Sequence, residues 1–148
     1  MKYFLATAAI LLFVQCSSST STEFTTSELL QGTWEVTAAK VDGSVYPVTN
    51  PGLAQIKAIF GETAFQYIYP ETDTNGLPTI YTDTLSGTWA LNTDETVINI
   101  TATGATDPTL VWAINRLSVG TLDVTFDQIS ATGQGTSTYN FTYSLTSN

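Results

Sequence analysis

Histidine is absent from the 148 residues, and Cys16 is the only cysteine. The commonest general base and metal ligand is therefore missing. Serines are plentiful, but they have no imidazole to activate them, and Lys40 or Lys57 would serve as a base only in a geometry that the sequence does not display. Thirteen acidic residues allow, in principle, a carboxylate pair of the kind that hydrolyses glycosides. Nothing in their spacing brings two of them together. "ETDTNG" at 71–76 opens like a calcium loop, with Glu71, Asp73, Asn75 and Gly76 in step. Its twelfth position is Thr82, which cannot supply the bidentate carboxylate, so the stretch reads as a polar hairpin tip. The triplets "NIT" at 99–101 and "NFT" at 140–142 match the glycosylation pattern, as the composition of Thr-rich strands would produce. The reading is a protein that is not an enzyme, with no metal and no cofactor.

The one thiol has a different context. "MKYFLATAAILLFVQ", residues 1–15, places Lys2 before an apolar run from Tyr3 to Val14 broken by Thr7. That run is too short to cross a bilayer as a helix and reads as a signal peptide. "FVQC" resembles the lipobox of bacterial lipoproteins through Val14 and Cys16, although Gln15 and Phe13 depart from the usual residues. The resemblance implies that Cys16 is lipidated, with acyl chains of the palmitate class, at the cell envelope and in the outer membrane. The alternative is plain secretion after cleavage near Cys16.

With the first fifteen residues removed, Lys40, Lys57 and Arg116 face all thirteen acids. Such a surface repels phosphate backbones and anionic headgroups, which argues against nucleic acid and against electrostatic membrane docking. Membrane attachment then depends on acyl chains, each buried CH₂ contributing ~0.8 kcal/mol. Residues 16–27, Cys16 followed by "SSSTSTEFTTS", form a small polar tether with a reach of about 18 Å. "SELLQ" at 27–31 suits one helical turn capped by Ser27.

Residues 28–148 then read as one all-β domain. Tyr139, Phe141, Tyr143 and Leu145 share one face of a strand, and Leu122, Val124 and Phe126 share one face of another. Phe65, Tyr67 and Tyr69 alternate likewise, as do Ile98 and Ile100. Strands are expected near 32–41, 55–60, 64–69, 79–84, 86–92, 96–102, 110–118, 121–128 and 136–146, the fourth and fifth being joinable into one bent strand. The segment at 51–60 also carries helical signals, with Pro51 at a first-turn position and Leu53, Ile56 and Phe60 near helical spacing. Connections are short, so successive strands pair as an antiparallel meander. A meander of that length protects its edges by closing, which predicts an up-and-down β-barrel of about eight strands.

"LLQGTWEVTAAKVDG" resembles the first strand of the small bacterial lipocalin-like domains found in lipoproteins, and "IFGETAFQYIY", "LSGTWALNTDETVINIT" and "AINRLSVGTLDVTF" follow in that family's order. The resemblance implies that Gly32 lets the chain enter the barrel base closely and that Trp34 plugs it. Gly87 and Trp89 would repeat the device where one strand passes into the next. The flanks of the two "GTW" stretches do not align, which argues against an internal duplication. Arg116 is the only arginine, two strands earlier than the family's arginine over the plugging tryptophan, and takes no role.

By that resemblance the domain binds a small apolar or amphipathic ligand, as a monomer. Tyr67, Tyr69, Trp112, Tyr139 and Tyr143 are the candidate lining residues, because they join apolar area to a polar tip. An eight-stranded barrel is either filled by its own side chains or holds one small ligand. The competing reading is a non-enzymatic module that recognises a protein or glycan through its outer face or loops. Tyr67, Tyr69, Tyr139 and Tyr143 pointing inward around an open cavity would support ligand carriage, and pointing outward as a patch would support surface recognition.

Overall fold

A strand that alternates apolar and polar residues can bury only one face, so a run of such strands must curl until the apolar faces meet. The computed structural model of this protein describes residues 23–49, 52–72, 78–129 and 135–146. The signal-peptide stretch, Cys16, the first part of the tether and most of the "ETDTNG" tip lie outside the described residues. A helix, α1 (Thr26–Leu30), leads into β1 (Gly32–Val41) and β2 (Ser44–Tyr46), then a 3₁₀ turn at Leu53–Gln55 and β3 (Lys57–Phe60). After them come β4 (Ala64–Thr72), β5 (Pro78–Leu91), β6 (Val97–Ala102), β7 (Leu110–Ser118), β8 (Thr121–Ile129) and β9 (Thr136–Thr146).

From β3 onward each strand pairs antiparallel with the next, and β9 returns to pair with β1. β2 is held only by the far tip of β1, so eight strands, β1 and β3 to β9, make the closed wall. This is the expected lipocalin-like up-and-down barrel. Closure runs the length of β1, from Thr33 opposite Thr146 to Val41 opposite Tyr139. The register shifts between Pro70 and Thr72 in β4, and bulges lie between Val36 and Ala38 in β1 and between Ile114 and Arg116 in β7. Each bulge shifts the alternation by one residue. Trp34 and Val36 face inward before the first, and Ala39 does so after it, which leaves Thr37 and Ala38 both outside.

Two local expectations are corrected, and a third, the joining of two runs into one bent strand, is met. The cap of α1 is Thr25, not Ser27: its hydroxyl accepts from the Glu28 N–H while the Glu28 carboxylate accepts from the Thr25 N–H at 2.8 Å, a capping box. The 51–60 segment divides, its helical signals producing the 3₁₀ turn and its alternation producing β3. Residues 79–84 and 86–92 are one strand, β5, which pairs with β4 over its first part and with β6 over its second. The short β2 was not expected. Asp42 and Gly43, with φ of 50° and 79°, turn β1 back onto it. Asp-Gly between two strand residues is the two-residue hairpin signal that marks it in the sequence.

Candidate functional site

Pairing sets Gly32 opposite Phe60, Phe60 opposite Phe65 and Phe65 opposite Gly87, so both "GTW" stretches lie at the end of the barrel next to α1. Trp34 is fully buried, and its indole N–H donates to the Leu30 carbonyl at 2.7 Å. Leu30 itself is fully buried, and α1 packs across to β7. Gly32 has φ of +135°, and a Cβ there would lie 2.6 Å from Leu145 Cδ1. Trp89 is 7% exposed, and its indole N–H donates to the Gly61 carbonyl at 3.0 Å. Gly87 brings β5 so near to β6 that a Cβ would meet the Thr101 carbonyl oxygen at 2.0 Å.

Above this floor the interior is aromatic, and Trp112 is its centre. Phe126 and Tyr143 stack on Trp112 with centroids at 5.4 and 5.8 Å, while Phe60, Phe65 and Tyr67 meet it edge-on at 6.2, 5.7 and 5.4 Å. Offset and T-shaped pairs of this kind add about 0.5–1.5 kcal/mol each beyond the area they bury. The column continues away from the closed end, Tyr69 stacking on Tyr67 at 5.6 Å and Tyr139 on Phe126 at 5.3 Å. The five candidate lining residues therefore belong to one connected aromatic column. Trp112, Tyr67 and Tyr143 are in the core, and Tyr69 and Tyr139 are partly buried against it. None of the four tyrosines forms an outward patch.

The sequence reading passed over Phe60, Phe65, Phe126 and Phe141, which share this interior. The alternation that placed the tyrosines inside placed these phenylalanines on the same strand faces. Arg116 stands outside the barrel, its Nε 2.9 Å from Asp123 Oδ2, with no part in the floor.

Polar tips in this interior are unevenly satisfied. Tyr69 donates its hydroxyl to Asp83 Oδ2 at 3.1 Å. The Trp112 Nε1 and Tyr143 hydroxyl atoms are buried and have no hydrogen-bond partner among the described residues. Tyr67 and Tyr143 lie near enough to couple in titration. Burial drives the phenol of Tyr143 well above its usual range and that of Tyr67 likewise, so both are neutral donors at physiological pH. The interior thus offers flat apolar faces and two uncommitted hydrogen-bonding groups, without a nucleophile or base. Among the described residues no three His, Cys, Asp or Glu side chains gather as a metal site.

Comparison with known proteins agrees with this geometry. The model of a lipocalin-like domain matches residues 30–124. The barrel is similar to a bovine odorant-binding protein solved in complex with a selenium-containing odorant, at TM-score 0.50 and 13% identity over 85% of this chain and 75% of that one. It is equally similar to the odorant-binding protein from bovine nasal mucosa, at TM-score 0.50 and 14% identity over 85% and 76%. At such identities the likeness speaks for the fold. No curated protein matches the chain in sequence.

Proposed function

Because the chain belongs to the lipocalin-like domain family, we propose that it is a non-enzymatic carrier that holds one small apolar or amphipathic molecule inside the barrel, and that lipid on Cys16 anchors it at the cell envelope. The observation that carries the binding part is the pair of open valences at Trp112 Nε1 and Tyr143 Oη. A buried polar group without a partner costs about 1–3 kcal/mol, and native interiors retain few of them. A flat ligand with one acceptor oxygen, as in an aromatic ketone or ester, would supply what the indole N–H and the phenol lack while its body stacks on the column. Tyr69 and Tyr139, the partly exposed members of the column, are the rings that yield on entry. A bovine protein of similar fold holds an odorant.

In this reading residues 1–15 are removed, Cys16 carries the acyl chains, residues 16–27 tether the barrel, and the monomeric domain from residue 28 does the binding at the outer membrane. The inward tyrosines weigh against an aromatic recognition patch on the outer face.

The test is a matched ligand pair, naphthalene and 1-acetylnaphthalene, measured by equilibrium dialysis against the wild type and Tyr143→Phe. The wild type is expected to prefer the ketone by about tenfold, as one well-placed hydrogen bond allows. Tyr143→Phe is expected to lose most of that preference while becoming as stable as the wild type or more so, because it removes an unsatisfied hydroxyl. Equal affinity for both compounds in the wild type, or no binding of either, would overturn the proposal.

A further inference from the structure

We infer that the outer face of the barrel carries a second, independent binding site, and that its ligand is a neutral saccharide. The site is an open groove of about 310 Å³ across β7, β8, β9 and β1. That volume is at the small end of ligand pockets, which span about 300–1,000 Å³. It suits a single sugar unit.

The groove follows from register and bulges. Pairing sets Lys40 opposite Asn140 and Asn140 opposite Thr125, making one polar row across three strands. The neighbouring row sets Ala38 opposite Thr142, Thr142 opposite Asp123, and Asp123 opposite Arg116. The bulge in β1 turns Thr37 and Ala38 outward together, and the bulge in β7 does the same for Asn115 and Arg116.

Its chemistry is mixed and partly uncommitted. Thr125 Oγ1 is held between the amides of Asn115 and Asn140, each donating at 2.7 Å. Accepting twice leaves the Thr125 hydroxyl its own proton to give, and leaves both amide oxygens as acceptors. Asp123 closes the groove's edge, its Oδ2 accepting from Arg116 Nε at 2.9 Å while its Oδ1 is buried beneath. The Lys40 ammonium is unpaired among the described residues, whereas Lys57 bonds Glu35 at 2.7 Å. The groove thus presents the Thr125 proton, two amide oxygens and the Lys40 ammonium around one bonded Asn115–Thr125–Asn140 cluster. A ring of vicinal hydroxyls, each able both to donate and to accept, complements such a cluster. An anion does not, because Asp123 lies in the groove and the whole chain carries a formal charge of −9.

The experiment is saturation-transfer NMR on the full chain with a panel of methyl pyranosides: glucoside, mannoside, galactoside and N-acetylglucosaminide. At least one is expected to receive saturation from the protein. Thr125→Val removes the hydroxyl that organises both asparagines without changing volume, and is expected to weaken binding by about tenfold. Lys40→Ala, an exposed position that leaves folding intact, is expected to weaken it less. Tyr143→Phe, inside the barrel, is expected to leave it unchanged, which keeps this site separate from the proposed ligand in the lumen. No transfer to any member of the panel, or transfer undiminished in both Thr125→Val and Lys40→Ala, would overturn the inference.

Discussion

The indole N–H of Trp34 donates to the carbonyl of Leu30 at 2.7 Å, across the joint where α1 ends and β1 begins. Trp89 repeats the arrangement with the Gly61 carbonyl at 3.0 Å. The helix C-terminus has carbonyls without intrahelical partners, and the tryptophan supplies one donor while its ring fills the floor. Trp112, the third tryptophan, lacks any such bond among the described residues. Two tryptophans are therefore built into the closed end, and one stands in the lumen with its polar atom uncommitted.

Trp34 separates the ring from the bond by substitution. Trp34→Phe keeps most of the buried area and loses the hydrogen bond, at an expected cost of ~0.5–1.5 kcal/mol in urea unfolding. Trp34→Ala empties the floor and is expected to cost ~3–5 kcal/mol, close to the whole stability of a small domain. An unchanged melting temperature in Trp34→Ala would mean that the ring does not plug the barrel.

Gly87 tests the close approach of β5 to β6. An added methyl at this position meets backbone, the Thr101 carbonyl oxygen at 2.0 Å and the Ala102 Cα at 2.9 Å, and backbone cannot rotate away as a side chain can. Gly87→Ala is expected to destabilise by at least ~1–3 kcal/mol. At Gly61 the same methyl meets Ala64 at an ordinary 3.6 Å, so Gly61→Ala is the matched control with a small effect. Equal unfolding midpoints for the two variants would show that the sheet relaxes at Gly87.

Where period-two alternation was unbroken, the sequence was enough. β8 was expected at 121–128 and β9 at 136–146, and they span Thr121–Ile129 and Thr136–Thr146. Every inward tyrosine was legible in that way. The continuity of β5 through Gly87 was among the readings the sequence allowed, the two runs being joinable into one bent strand. The bulges in β1 and β7 were hidden because a one-residue slip looks, locally, like a lapse in alternation. The outer groove depends on those slips and on the pairing of Lys40 with Asn140, a hundred positions apart in the chain, so no local pattern announces it. The open valence of Trp112 was beyond reach for the same reason, since whether an indole finds a carbonyl depends on which loop folds under it.

Cys16→Ser addresses the anchor alone. The position precedes α1 in sequence, so the variant is expected to unfold at the wild-type temperature while moving from the membrane fraction to the soluble one. With three cations against thirteen acids beyond residue 15, the chain offers no electrostatic substitute for acyl chains. Retention of the variant in the membrane fraction would count against lipidation.

Alkaline unfolding reads the aromatic column as a whole. Burial raises the phenols of Tyr67, Tyr143, Tyr69 and Tyr139 above the ordinary value of 10.0. A phenol whose folded pKa is raised contributes its full stability below the unfolded pKa, since both states then hold the proton. Above pH ~10 the unfolded chain releases its protons first, and each buried tyrosine then lowers stability by about 1.4 kcal/mol per pH unit. Tyr67 and Tyr143 supply most of that slope, and the partly exposed Tyr69 and Tyr139 supply less. Urea midpoints are thus expected to be flat from pH 7 to 9 and to fall steeply beyond pH 10. Tyr143→Phe should flatten the fall by one tyrosine's share, because phenylalanine has no proton to lose in either state. Tyrosinate absorbance provides the independent check: the folded protein should resist ionisation at a pH where the urea-unfolded chain is largely ionised. A folded protein that ionises all its tyrosines near pH 10, or a slope unaltered in Tyr143→Phe, would show that the column admits water and that its hydroxyls are not closed off from solvent.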